Sequence, residues 1–376
     1  MPNPAKNWLA ITRRRGLWIS AFVVALVLLV SNLDGNLASA TEQTLPQRFE
    51  PANTAELLSK ANAIPVKVGA YIENYHDLSL QGRRFVAEGY YWLEWPDSLE
   101  EILDANKIAP GDIVEITNQI DEWDSKIRSI TQDAQKLPNG NNYYQVRFSG
   151  NFYIPDLNLK LSPFESLTLP LIIEVQDNQL ALQNSNLVLV GDEGKDQLLG
   201  SYSEIDGYKI SSTSLEPMVH SYGTSWGQDK GNLTYSAIQV VTKLRSSGFS
   251  SFLTWVFPLL IVVGIVLLAP SVAGELGDIR LAIPSTGMLT LIFLQQAYDS
   301  ALPPLDYLTF LDWLYAAGYL ISIATFLLFV WDANAYQGAD ADQKITTLTR
   351  INKVDTIFQL GSVIFMAVVA SLAWKA

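Results

Sequence analysis

The chain has 376 residues, a formal net charge of −13 and a mean hydropathy of +0.15, with 49% hydrophobic and 17% charged residues. It contains no cysteine, which excludes disulfides, and its acidic charge argues against nucleic acid as a partner. The balance of apolar and charged residues is typical of a chain divided between membrane and water.

The N-terminus has the pattern of a secretory signal. Arg13, Arg14 and Arg15 precede an apolar run over residues 16–30, and Ala38-Ser39-Ala40 follows. A basic segment, a short apolar run and a small-x-small site are the parts of a cleavable signal peptide. We therefore predict that residues 1–40 are a signal peptide. An uncleaved anchor helix is the alternative, because the gap before Ala40 is long for a cleavage region.

Residues 41–248 are predicted to form an antiparallel β-sandwich outside the cytoplasm. Val66, Val68, Ala70 and Ile72 alternate with other residues at a period of two, which is typical of a half-buried strand. Further strands are predicted over residues 85–95, 143–153, 167–175, 179–190, 208–212 and 235–244. Two segments, residues 54–63 and 112–136, have helical spacing instead. Many short strands with regular turns favour a sandwich.

Four apolar runs follow, over residues 252–270, 281–298, 308–331 and 354–374. A helix needs about 20 apolar residues to cross roughly 30 Å of hydrocarbon, so each run is long enough. We predict a bundle of four transmembrane helices over residues 249–376. Lys344, Arg350 and Lys353 indicate that the loop at residues 332–353 is cytoplasmic.

The second apolar run carries a row of residues separated by 4, 3, 4, 3 and 4 positions, which places them on one face of a helix. They are Ala282, Thr286, Leu289, Phe293, Gln296 and Ser300. Three of the six are polar, and polar groups in a membrane face a bundle interior or water. The row therefore predicts a pore lining, in which Leu289 and Phe293 form apolar rings that stop conduction by dewetting. Buried contact between helices is the alternative.

Three carboxylates lie near the ends of this helix. Glu275 and Asp278 precede it and Asp299 ends it. Rings of carboxylates favour cations, so these residues predict cation selectivity. Ordinary charges at the level of the lipid headgroups are the alternative reading.

Several motifs follow one another along the chain. The strand pair VKVGAYIENYHDLSL and RRFVAEGYYWLEWPD ends in Trp95-Pro96-Asp97, and residues 158–165, the signature loop, read NLKLSPFE without flanking cysteines. Pro258 lies in the first apolar run, and Leu302-Pro303, Tyr307, Thr309 and Asp312 follow the second. In these features the chain resembles the pentameric ligand-gated ion channels of the bacterial type. It departs from them between Trp95 and Tyr143, where part of the agonist pocket lacks a clear equivalent.

The resemblance implies a homopentamer with an extracellular β-sandwich and with its second helix lining the pore. It implies an agonist pocket at Tyr71, Tyr90, Tyr222 and Trp226, where aromatic faces would attract an ammonium group. Core or edge aromatics are the alternative at these positions. It also implies coupling between the domains through a Glu165–Arg245 ion pair, with Pro163 in the signature loop and Pro303 after the pore helix.

No catalytic motif is evident, and the two histidines have no metal-ligand spacing, so we expect neither an enzyme nor a cofactor. The expected function is a subunit of a homopentameric, cation-selective channel in the plasma (inner) membrane, opened by a small molecule or protons. Its partners would be membrane lipids, the agonist and the permeating ions. A non-conducting membrane receptor or scaffold is the main alternative, and an accessory factor for folding or transport is a third possibility.

Overall fold

The computed structural model describes residues 47–121, 123, 125–131, 133–176, 186–192, 198–224, 233–272 and 277–375. The chain divides into two compact units. One comprises Phe49–Ser221 with Thr234–Ala376, and the other comprises Met1–Arg48 with Tyr222–Leu233. In the second unit, the described backbone contacts include a hydrogen bond from the Tyr222 N–H to the Leu233 carbonyl at 2.9 Å. The predicted signal peptide lies outside the described residues.

The N-terminal part of the chain consists mainly of strands. They are β1 (Gln47–Pro51), β2 (Ala63–Ser79), β3 (Arg84–Trp95), β4 (Val114–Ile116), β5 (Gln119–Ile120), β6 (Lys126–Ser129), β7 (Gln135–Lys136), β8 (Asn142–Tyr153), β9 (Ser166–Val175), β10 (Asn186–Gly191), β11 (Tyr208–Tyr222) and β12 (Thr234–Ser246). One sheet has the order β1-β11-β12-β9-β4. The other has the order β10-β2-β3-β8-β5, with β6 and β7 also paired to β8. The domain is β-rich, as predicted. Its pairing is not antiparallel throughout, because β10 pairs with β2 in parallel.

The two sheets share one hydrophobic core. Every second residue of β3 is buried, as its alternating sequence predicts, and these side chains lie in the same cluster as those of β9 and β12. Between the sheets, the buried Tyr75 hydroxyl on β2 donates a hydrogen bond to Thr242 on β12 at 2.7 Å. Gly89 lies beside a register shift between β2 and β3, and a Cβ there would come within 2.2 Å of the Tyr71 carbonyl oxygen.

The helix predicted over residues 112–136 is wrong. Residues Pro110–Ile113 form a 3-10 turn, and β4 to β7 follow it. Ile113 and Ile116 are buried in the core, but pairing with β8 and β9 supplies the backbone hydrogen bonds in this segment. Long-range strand pairing therefore overrides local helical spacing here.

The other helical segments of this domain are short. The helix predicted over residues 54–63 is confirmed only in part, as α1 (Thr54–Leu58), which Asn53 caps. A helix that we did not predict, α2 (Asp97–Asn106), buries Leu99 and Leu103. Of the strand predicted over residues 179–190, the structure describes Asn186–Val190, which belong to β10.

Within the described residues, four helices are long and apolar enough to cross a membrane, which confirms the predicted number. They are α3 (Gly248–Ser271), α4 (Gly277–Asp299), α5 (Phe310–Gln337) and α6 (Lys344–Ala373). Helices α5 and α6 extend into the predicted loop at residues 332–353, so the connection is shorter than expected. Pro284 lies inside α4, because that helix already includes Gly277.

Helix α4 approaches α3 closely. A Cβ at Gly287 of α4 would come within 2.5 Å of the Val266 Cγ2 on α3. Small residues allow this kind of close approach between helices in membranes. One side of α4 is therefore held firmly against its own bundle, which decides where the other side points.

Candidate functional site

Five residues of the predicted row lie on α4, and the sixth, Ser300, directly follows this helix. All six are exposed. Leu289 is 53% exposed and Phe293 is 61% exposed, although both are large apolar side chains. The residues of α4 that pack against the rest of the chain lie on the opposite side: Arg280, Pro284, Gly287, Leu291 and Tyr298 are buried. The row Ala282, Thr286, Leu289, Phe293, Gln296 and Ser300 thus faces away from the bundle of its own chain.

The other polar side chains of α4 are accounted for by local contacts. The hydroxyls of Ser285 and Thr290 each donate to a carbonyl one turn earlier, at 2.9 Å. Gln295 accepts a hydrogen bond from the Tyr319 hydroxyl on α5 at 2.7 Å. Such contacts satisfy polar groups within a single bundle.

Two of the three predicted selectivity carboxylates lie exposed at opposite ends of α4. Asp278 is in the first turn and Asp299 is the last residue, whereas Glu275 lies outside the described residues. A carboxylate stabilises the first turn of a helix but opposes the helix dipole in the last turn. Helix stability therefore explains Asp278 but not Asp299.

A buried ionic cluster joins α4, α5 and α6. The Nη2 atom of Arg280 donates a hydrogen bond to Oδ2 of Asp355 at 2.5 Å and lies 3.2 Å from Oδ2 of Asp332. The Arg280 guanidinium also lies over the Phe329 ring, 4.2 Å from its centroid. All three charged residues are at most 3% exposed. Charged groups inside a membrane bundle are rare and pair with one another, as here.

The signature loop packs against the segment that connects α4 to α5. The Phe310 N–H donates to the Lys160 carbonyl at 2.7 Å, and the Leu159 N–H donates to the Tyr307 hydroxyl at 2.9 Å. Phe164 packs against Phe310 with ring centroids 5.9 Å apart. The β-rich domain and the helices are thus joined through backbone and aromatic contacts.

Trp374 near the end of α6 extends this contact. Its ring lies 5.6 Å from that of Phe164 and 5.4 Å from that of Phe310, between ring centroids. Thr309 caps α5 in a reciprocal capping box with Asp312 and accepts a hydrogen bond from the Tyr298 hydroxyl at 2.9 Å. The start of α5 is thereby fixed to the end of α4 as well as to the signature loop.

The predicted Glu165–Arg245 ion pair does not form. Glu165 is buried and accepts a hydrogen bond from the Tyr208 hydroxyl at 2.6 Å, whereas Arg245 is exposed. Burial and the neighbouring carboxylate raise the pKa of Tyr208 far above its ordinary value, so this hydroxyl stays a donor. Pro163 and Pro303 are both buried.

Two of the four predicted pocket aromatics are neighbours in the structure. Tyr71 on β2 and Tyr90 on β3 face each other in the strand register, and both are half-buried. Tyr222 ends β11, and Trp226 lies outside the described residues. The described residues thus bring Tyr71 and Tyr90 together on one sheet.

Charged residues that we did not predict surround Tyr90. The Arg147 guanidinium on β8 donates to the Tyr90 hydroxyl at 3.0 Å and lies 5.3 Å from its ring centroid. Arg147 also pairs with Glu73 at 3.0 Å and with Glu88 at 3.6 Å. Glu73 lies two residues after Tyr71 on β2, and Glu88 lies two residues before Tyr90 on β3. Residues two apart share one face of a strand, which is the signal that the sequence offers for this cluster.

Comparisons with models of known protein families and with curated proteins found no match for this chain. Its function is therefore inferred from its motifs and from the geometry of its own residues. The most informative geometric feature is the exposed row on α4.

Proposed function

We propose that the chain is the subunit of a homopentameric, cation-selective ion channel and that α4 lines its pore. One observation carries the proposal: every residue of the row from Ala282 to Ser300 is exposed in the single chain. Water-tolerant side chains on the outer side of a membrane helix need an aqueous column or a partner. Five copies arranged around an axis supply both.

In this arrangement each residue of the row forms a ring of five. The rings of Leu289 and Phe293 are the narrow apolar part, where dewetting stops ion flow. The rings of Thr286 and Gln296 are polar and lie on either side of them. Asp278 and Asp299 place negative charge at the two mouths, which raises the local concentration of cations.

The order of domains supports this proposal. A β-rich domain followed by four apolar helices is the architecture that the resemblance to pentameric ligand-gated channels implies. The channel would lie in the plasma (inner) membrane with the β-domain outside, and a small molecule or protons would open it. Movement of the signature loop would reach α4 through its contacts with Tyr307 and Phe310.

Replacing Leu289 with serine tests the pore assignment. We expect Leu289→Ser to raise ion flux without agonist, because a polar ring keeps the constriction wet. The measurement is ion flux through purified protein in liposomes, with native mass spectrometry to count subunits. Leu360→Ser is the matched control, because Leu360 is an exposed leucine of α6.

A pentamer in which Leu289→Ser and Leu360→Ser leak no more than the wild type would contradict the pore assignment. Flux absent from the wild type and from both variants, in an intact pentamer, would favour the non-conducting receptor or scaffold. A subunit count other than five would exclude the proposed ring.

Selectivity has its own test. We expect the reversal potential under a sodium chloride gradient to lie near the sodium potential, and Asp278→Asn to move it toward zero by removing a ring of charge. Asp340→Asn is the matched control, because Asp340 is exposed in the connection between α5 and α6. A wild-type reversal potential near that of chloride would contradict the proposed cation selectivity.

A further inference from the structure

A cavity of about 220 Å³ lies where the outer domain meets the helices. Its wall combines the signature loop, the start of β11, the end of β12 and the adjoining ends of α3 and α4. One water molecule takes about 30 Å³ in the liquid, so the cavity has room for a small organic group. The predicted agonist aromatics do not line it.

The cavity wall includes a buried carboxylate, that of Glu165, of which only one oxygen is hydrogen-bonded to a side chain. Glu165 is 5% exposed, and its Oε1 atom accepts the Tyr208 hydrogen bond at 2.6 Å. Its Oε2 atom is buried and has no hydrogen-bond partner among the described residues. Arg245, on the neighbouring strand, is exposed and does not pair with it. A buried carboxylate without a counter-charge is costly, which favours a positively charged ligand.

The remaining walls suit an organic cation better than a bare metal ion. Trp255, Tyr298 and Tyr208 line the cavity, and the rings of Trp255 and Tyr298 are in edge-to-face contact, 5.5 Å between centroids. Aromatic faces attract ammonium groups, whereas hard metal ions require several oxygen ligands. Ser251 and Thr254 also line the cavity, and a hydroxyl group can accept hydrogen bonds.

We infer that this cavity binds a small organic ammonium group, with Glu165 as its counter-charge and Trp255 as its aromatic wall. The group belongs either to a free amine or to the headgroup of a phospholipid, because the cavity adjoins the ends of membrane-spanning helices. This site goes beyond the proposed function: it concerns binding, and it holds whether or not the protein conducts ions.

Calorimetric titration of the full chain in detergent with choline tests the inference. We expect wild-type protein to bind choline, and Glu165→Gln to weaken binding by about tenfold or more, since it removes the charge and keeps the shape. Trp255→Leu should weaken binding as well. Glu204→Gln is the matched control, because Glu204 is an exposed carboxylate of the outer domain away from the cavity wall.

A second measurement needs no substitution, in case Glu165→Gln fails to fold. The uncharged isostere 3,3-dimethyl-1-butanol has the shape of choline without its charge, so wild-type protein should bind it far more weakly. Equal binding of the two compounds would overturn the inference. Unchanged choline binding by folded Glu165→Gln would overturn it too. Loss of binding in Tyr90→Leu alone would also overturn it and would place the site at Tyr71 and Tyr90.

Nanodiscs separate the two sources of the ammonium group. If a lipid headgroup occupies the cavity, phosphatidylcholine should raise the melting temperature of the wild type above its value in phosphatidylglycerol, and Glu165→Gln should remove the difference. If a free amine occupies it, added choline should stabilise the protein in phosphatidylglycerol. Absence of both effects, together with no binding in detergent, rejects the site. Ion flux is not measured here, so these outcomes are independent of the channel proposal.

Discussion

At the scale of single residues, the cluster of Arg280, Asp332 and Asp355 places two carboxylates against one guanidinium in a buried position. Removal of Arg280 leaves two adjacent buried carboxylates without a counter-charge, whereas removal of one carboxylate leaves a neutral pair. We therefore expect Arg280→Gln to cost about 3–5 kcal/mol of stability, as is typical for breaking a buried ion pair. Thermal unfolding in detergent measures this loss.

The two aspartates provide the control. Asp332→Asn should cost less than Asp355→Asn, because the Arg280 hydrogen bond goes to Asp355. A variant Arg280→Gln that melts at the wild-type temperature would show that the cluster does not hold the three helices together.

At the scale of elements, the position of α4 depends on its close approach to α3. An alanine at Gly287 would bring its Cβ within 2.5 Å of the Val266 Cγ2, and valine in a helix has little rotamer freedom to move away. We expect Gly287→Ala to cost about 1–3 kcal/mol, the usual range for overpacking, and to lower the melting temperature. Gly361→Ala in α6 is the matched control, because nothing lies within 4 Å of an added Cβ there. Equal melting temperatures for the two variants would contradict the packing of α4 on α3 described here.

At the scale of the whole molecule, the β-rich domain and the helices are joined by aromatic contacts at the signature loop. Trp374 takes part in two of them, with Phe164 and with Phe310. Aromatic pairs contribute about 0.5–1.5 kcal/mol each beyond their buried area, so Trp374→Leu should cost roughly 1–3 kcal/mol. We also expect it to separate the unfolding of the two domains, measured by calorimetry. Trp313→Leu, at a partly exposed tryptophan of α5, is the control, and a single unchanged transition in Trp374→Leu would exclude a linking role.

The sequence predicted the elements whose pattern is local. Alternation in β3 and long apolar runs in α3 to α6 determine those elements because burial on one side of a strand, or in a membrane, selects residues at a fixed period. The helix predicted over residues 112–136 is wrong because a local pattern does not show pairing with distant strands. Its helical spacing is real, but its hydrogen bonds come from β8 and β9, which are distant in sequence.

For the candidate site, too, the sequence determined some features and the tertiary structure determined others. The spacing of Ala282 to Ser300 determined by itself that these residues share one face of a helix. Only the tertiary structure decided that this face points away from its own bundle, since that depends on how α4 packs on α3 and α5. The tertiary structure likewise determines which residue contacts Glu165. A carboxylate's neighbours in space are set by strand register and burial, and β11 brings Tyr208 to it while Arg245 faces outward.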